Sequence, residues 1–284
     1  MMAFAKRNVL LYFRDKTTVF FSLLAVIILI VLYVLFLGEM TFKGLPDFPS
    51  KKALLTAWFI AGILAVTSMT TTLGSFGILV EDRANKTYMD FYSSPITRMR
   101  LVGGYIISAA FVGFIMCMFT LLASNVFLFI SGETALSFRK LLEAGGSIFL
   151  SVLASGSMVL LLVSFFKTSN AFAAASTVIG TLLGFLAGIY IPIGGLPDYI
   201  QAVVKLFPVS HSAALFRQLL MDDLLLDAFS KSPAEMKQAF KIDMGILYEI
   251  NGRQTSKLFS VLYLCFTTLL FFGLSLLVMK RKNK

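Results

Sequence analysis

The sequence predicts an all-α integral membrane protein: six transmembrane helices, an N-terminal interfacial helix, and an outer re-entrant or interfacial helical hairpin before the last span. Three observations lead there. Of 284 residues, 58% are hydrophobic and only 14% charged, where a soluble domain carries about 25% charged. Several apolar runs reach the roughly 20 residues that cross a hydrocarbon core as a helix. The runs are continuous rather than alternating, which excludes the strands of a membrane barrel.

The elements follow in order. Residues 1–16, "MMAFAKRNVLLYFRDK", suit a helix on the inner membrane face. Met2, Val9, Leu10 and Phe13 share one arc, and Lys6 snorkels from among them. The alternative is a cytosolic extension of the first span. Residues 17–284 then form one six-helix transmembrane domain, with spans at 17–38, 53–80, 101–130, 144–166, 171–191 and 258–279, none holding Asp, Glu, Lys or Arg. The first run outlasts the 7–15-residue core of a signal peptide and lacks a small-x-small cleavage site, so it reads as a retained span.

Lys and Arg near the span ends set the orientation. Lys6, Arg7, Arg14 and Lys16, then Arg83, Lys86, Arg98 and Arg100, then Lys167, and finally Lys280 to Lys284 all fall on one side. This predicts a multi-pass cell-membrane protein with both termini in the cytoplasm. The net charge of +10 therefore reads as topology signal and contact with anionic lipid, not as nucleic-acid binding.

The fifth span carries Gly180, Gly184 and Gly188, a repeated GxxxG. Small residues at this spacing let helix backbones approach, within one subunit or across a dimer. Weaker versions occur at Ala53, Ala57, Ala61 and Ala65, and at Ser147, Ser151 and Ser155. The outer segment 192–256 follows. Pro192, Gly194, Gly195 and Pro197 stop the helix, "DYIQAVVKLF" is too short to span, and Pro208 breaks the chain again before His211. Such a segment is a re-entrant element near an outer gate or a pair of interfacial helices. One more surface helix is expected over about 233–248.

Much chemistry is excluded. A single histidine rules out a multi-histidine metal site. Cys117 and Cys265 read as small thiols in apolar segments. No phosphate loop and no GxGxxG occur, so neither a nucleotide cofactor nor a catalytic residue is assigned to this chain. Spans without acids or histidine also disfavour an ion-coupled secondary transporter, which usually binds its ion through such groups.

Between spans two and three lies "EDRANKTYMDFYSSPITRMR", residues 81–100. Residues 81–92 fit three helical turns with Asp82–Lys86 and Lys86–Asp90 pairs. Ala84, Tyr88, Phe91 and Tyr92 share a face, and "SSP" ends the turn. The face either docks into a groove on a cytoplasmic partner or rests on lipid headgroups.

The runs "EDRANKTYMDFYSSPITRMRLVGGYI" and "YIPIGGLPDYIQAVVKLFPVSHSAALFRQLL" resemble permease subunits of ABC-2-type ABC transporters, particularly the drug and antibiotic exporter branch. The resemblance covers nearly the whole chain. It implies two permease subunits, as a homodimer rather than a heterodimer, around a path for a small-molecule or peptide substrate. Separate ATPase subunits, carrying ATP and magnesium, bind beneath. It also implies that residues 81–94 are the coupling helix, with Glu81, Asp82, Arg83, Tyr88, Met89, Asp90, Phe91 and Tyr92 at the contact. Pro192, Gly194, Gly195, Pro197, Pro208 and His211 then belong to the outer gate, and the cargo is a hydrophobic or amphipathic drug, antibiotic, peptide or lipid-like compound. The rival readings are an ion-coupled secondary transporter and a non-transporting membrane scaffold.

Overall fold

A computed structural model describes residues 1–33, 35, 50–87, 89, 91, 96–133, 135–230, 232–250 and 252–281. Tyr88, Asp90, Tyr92, the "SSP" turn and the end of the first span lie outside the described residues. The rest is an all-α membrane protein. Five helices are long and apolar enough to span, and a sixth candidate is the pair Met2–Arg14 and Lys16–Leu32, bent by 70°.

The bend has a local cause. Asp15 ends α1 (Met2–Arg14) and caps α2 (Lys16–Leu32), its carboxylate accepting the Thr17 and Thr18 amides at 3.1 Å. The Thr18 hydroxyl and the Thr18 and Thr17 amides hold the Asp15 carboxyl below its ordinary range. α1 and α2 therefore meet at a capped elbow, one residue before the boundary expected between the interfacial helix and the first span.

The central element is α3 (Lys51–Ala84), 34 residues long, whose most apolar stretch is 94% buried inside the chain. Around it pack α4 (Arg98–Ile130), α5 (Phe138–Val163) and α6 (Ser169–Leu186). Ala53, Ala57, Ala61 and Ala65 are all buried. The hydroxyl of Ser68 meets Ser151 at 2.8 Å and Ser155 at 3.1 Å on α5, a polar joint where lipid offers no partners. Ser147 stays off this seam and bonds back to the Glu143 carbonyl at 3.1 Å.

The outer hairpin begins with a short turn at Ile193–Gly195 and α7 (Asp198–Leu206). Its second arm is longer than the sequence suggested. Pro208 does break the chain after α7, which ends at Leu206, and it is also the first residue of α8 (Pro208–Ala228), where a missing N–H costs nothing. Residues 208–217 are all buried, and α8 enters the bundle between α3, α5 and the last helix, α10 (Lys257–Arg281). The expected surface helix over 233–248 is shorter, α9 (Ala234–Asp243). A two-residue hairpin of β1 (Glu249–Ile250) and β2 (Arg253–Gln254) leads into α10.

Burial falls outward. The apolar stretches of α6 and α10 are each only 17% buried, leaving Val178, Leu182, Leu262, Phe266 and Leu269 exposed. Such surfaces meet lipid or another subunit.

Candidate coupling site and outer gate

The two ends of α3 carry different constellations. At the C-terminal end Asp82 is the one buried carboxylate among the described residues. It faces into the protein rather than along its own helix. Arg7 of α1 donates from Nη1 and Nη2 to its two oxygens at 2.8 and 2.9 Å, a bidentate fork. Tyr105 of α4 donates its hydroxyl to Oδ2 at 2.5 Å. The expected Asp82–Lys86 pair is thus replaced by Arg7, because the final turn of α3 points Asp82 beneath α1. Bonded to Asp82, the Arg7 guanidinium is held above its ordinary pKa.

Aromatic rings close over this pair. The Arg7 guanidinium lies 5.6 Å from the Phe4 ring and 5.2 Å from the Phe91 ring. Phe4 meets both Phe91 and Tyr105 edge-on at 5.0 Å. Close approach of α1 to α4 depends on small residues: a Cβ on Gly104 would stand 2.6 Å from Phe4 Cδ1. Phe91, expected at a partner contact, therefore also joins the loop after α3 to α1.

The segment expected to be a coupling helix is not one helix from residue 81. Glu81–Ala84 is the last turn of the spanning helix, and the chain breaks at Asn85–Thr87 with Lys86 at φ 60. A left-handed residue that is not glycine costs about 1–2 kcal/mol, so the break is imposed by its surroundings. Met89 and Phe91 are helical again, and the Met89 amide bonds the Lys86 carbonyl at 2.9 Å. Met89 is half exposed, Ile96 and Met99 across the loop are exposed, and so is Glu81. Arg83 turns inward and donates to the Val163 carbonyl at 3.2 Å, closing the C-terminal end of α5. Beside this end lies a cavity of about 610 Å³ bordered by Arg7, Tyr12, Asp15, Gly74, Glu81 and Phe172.

At the opposite end, helix C-termini meet inside the bundle. Buried there, their last carbonyls need donors from the protein. α6 ends in a Schellman motif: Gly188 takes φ 65, Ile189 N–H bonds Gly184 O at 2.8 Å and Gly188 N–H bonds Phe185 O at 3.0 Å. α9 ends the same way on Gly245, also at φ 65, with Ile246 N–H on Lys241 O at 2.9 Å. Arg217 of α8 sits between the two ends. Its Nη2 donates to Ala187 O at 2.7 Å and Gly188 O at 3.1 Å, and its Nη1 to Gly245 O at 3.3 Å. Trp58 of α3 donates Nε1–H to Met244 O at 2.7 Å, and the guanidinium lies 4.7 Å from the Trp58 ring.

α7 is closed by similar means. His211 Nε2–H donates to Lys205 O at 2.9 Å, and Tyr263 of α10 donates to Leu206 O at 2.6 Å. The His211 and Tyr263 rings stack at 4.0 Å. His211 is thus a buried structural donor. Pro192 and Pro197 precede the turn and α7, and Gly195 lies within the turn. Gly194 is required by a close approach, since a Cβ there would stand 2.8 Å from Asp243 Cα.

The GxxxG glycines do not form one seam within the chain. Gly188 ends the helix, Gly184 lies under the Tyr190 ring, and a Cβ on Gly180 would meet nothing within 4 Å. Gly184→Leu is expected to cost about 1–3 kcal/mol by displacing that ring, read as a lower melting temperature in detergent. Gly180→Leu should leave melting unchanged.

Sequence reasoning had missed Arg7, Phe4, Tyr105, Trp58 and Arg217. The available signal was an acid on the last turn of an apolar helix, and an arginine inside an otherwise apolar outer run. Residues 51–277 match the family model described as ABC-2 family transporter protein. A search of curated proteins returns no match.

Proposed function

Because the chain belongs to the ABC-2 transporter family, we propose that it is the permease subunit of an ATP-driven exporter. It pairs with a second copy of itself around the substrate path and is driven by separate ATPase subunits. The observation that supports this best is the Asp82 end of α3. There the half-exposed Met89 and the Phe91 ring follow a spanning helix whose last turn is tied to α1 and α4 through Arg7 and Tyr105. A push on that segment reaches three elements at once.

In this reading the Asp82 end faces the cytoplasm of a cell membrane, which the lysine and arginine distribution supports. Met89, Phe91 and Glu81, with Tyr88, Asp90 and Tyr92 from the sequence pattern, meet the ATPase. Asp82 and Arg83 hold the segment rather than touch the partner. The ATPase carries ATP and magnesium, since these 284 residues contain no phosphate loop. The cargo is hydrophobic or amphipathic, in keeping with phenylalanine-rich spans. Ion coupling is disfavoured: the one buried carboxylate among the described residues is already bound by a guanidinium and a hydroxyl.

A cysteine at Met89 tests the contact. With Cys265 replaced by serine, Met89→Cys is expected to cross-link to the ATPase subunit in membranes, and Leu226→Cys, exposed on α8, is not. Cross-linking from Leu226 instead of Met89 would reverse the orientation.

A further inference from the structure

The Arg217 knot has no part in the reading above. A wholly buried cation ordinarily needs a carboxylate. None of the hydrogen bonds of Arg217 goes to one: its partners are the carbonyls of Ala187, Gly188 and Gly245. The compensating negative charge is that of two helix C-termini, where the aligned peptide dipoles leave about half an elementary charge each. Those ends belong to α6 and α9, and the guanidinium bonds both. Arg217 itself rides on α8, and its flat face lies on Trp58 of α3, which separately holds the end of α9 through Met244 O. Four elements therefore share one guanidinium and one indole.

The backbone is fitted to this arrangement. The left-handed glycines stand against the guanidinium, a Cβ on Gly245 lying 3.0 Å from Nη1 and one on Gly188 3.3 Å from Nη2. A Cβ on Gly62 of α3 would meet Ile189 Cγ1 at 2.6 Å. Gln218, the next residue of α8, donates to Ile246 O at 2.7 Å and repeats the tie to α9.

We propose that Arg217 is a positioning residue that locks the outer hairpin to α3 and α6, so that the hairpin moves with the central helix as one rigid block. The functional half of this inference rests on the transport reading above. Motion imposed at the far end of α3 reaches α7, α8 and α9 without slack only while the fork spans both helix ends. Lysine keeps the charge but has a compact ammonium on a flexible stem, so it cannot bridge the two ends as the planar fork does.

The test uses the full permease–ATPase complex with Cys265, the exposed cysteine, replaced by serine, and spin labels at the exposed Lys52 and Glu235. The native complex should give a narrow distance distribution, the same with and without ATP. Arg217→Lys should at least double its width and lower transport per ATP hydrolysed about tenfold or more while hydrolysis continues. Trp58→Phe, which keeps a ring but removes the donor to Met244, should shift both readouts less, in the same direction. An unchanged width in Arg217→Lys, or a widened one with transport per ATP retained, overturns the proposal. If Arg217→Lys does not assemble, an unchanged width in Trp58→Phe overturns it. A native complex with a narrow distribution that moves no cargo counts against the transport reading and leaves the lock standing.

Discussion

Asp82→Asn is expected to loosen α1 from the bundle and to lower ATP-driven transport at least tenfold while membrane insertion is kept. Asp82 accepts three bonds, two from Arg7 and one from Tyr105. Asparagine accepts on one oxygen only, and its amide group turns a donor toward the guanidinium. Arg7 is left without its anion. Breaking a buried pair from one side costs about 3–5 kcal/mol, and the effect here falls toward the bottom of that range because the Arg7 side chain is 33% exposed. Faster hydrogen exchange along α1 reads the loosening. Arg7→Gln in the same chain should recover part of it, since two neutral amides can each donate to and accept from the other, whereas a guanidinium can only donate and keeps its unpaired charge.

The second large effect is a split between stability and work. Tyr88→Ala with Phe91→Ala is expected to leave ATP hydrolysis running while transport falls at least tenfold. Among the described residues, Phe91 makes an edge-on contact with Phe4 and a cation–π contact with Arg7, together about 1–2.5 kcal/mol. That loss is too small to unfold a bundle built around α3. Measuring transport, hydrolysis and melting on one preparation separates the two effects. Normal transport by the double variant would remove the coupling role from this segment.

The legible parts of this protein were those set by local chemistry. Apolar length marked the spans, and the pattern of residues 1–16 predicted a separate helix ahead of them, which α1 is. Proline and glycine placed the start of the outer hairpin. Contacts between distant segments were hidden. Asp82 looks like a helical pair with Lys86 because four residues separate them, but a donor 75 positions away takes the carboxylate. Pro208 was legible as a break after α7, but not as the start of the long buried helix α8, because proline ends helices as readily as it begins them. Gly188 fits a packing motif by spacing, while its positive φ makes it a helix terminator. Arg217 carried the least signal, since its partners are backbone carbonyls, which every residue possesses.

Reconstitution in liposomes decides the central claim, that the energy for transport enters through the segment after α3 from a nucleotide-hydrolysing partner. With its ATPase and ATP, the chain should drive an amphipathic cargo against its gradient, and should drive none when the ATPase is withheld. Accumulation powered by a proton or sodium gradient in the chain alone would contradict the account.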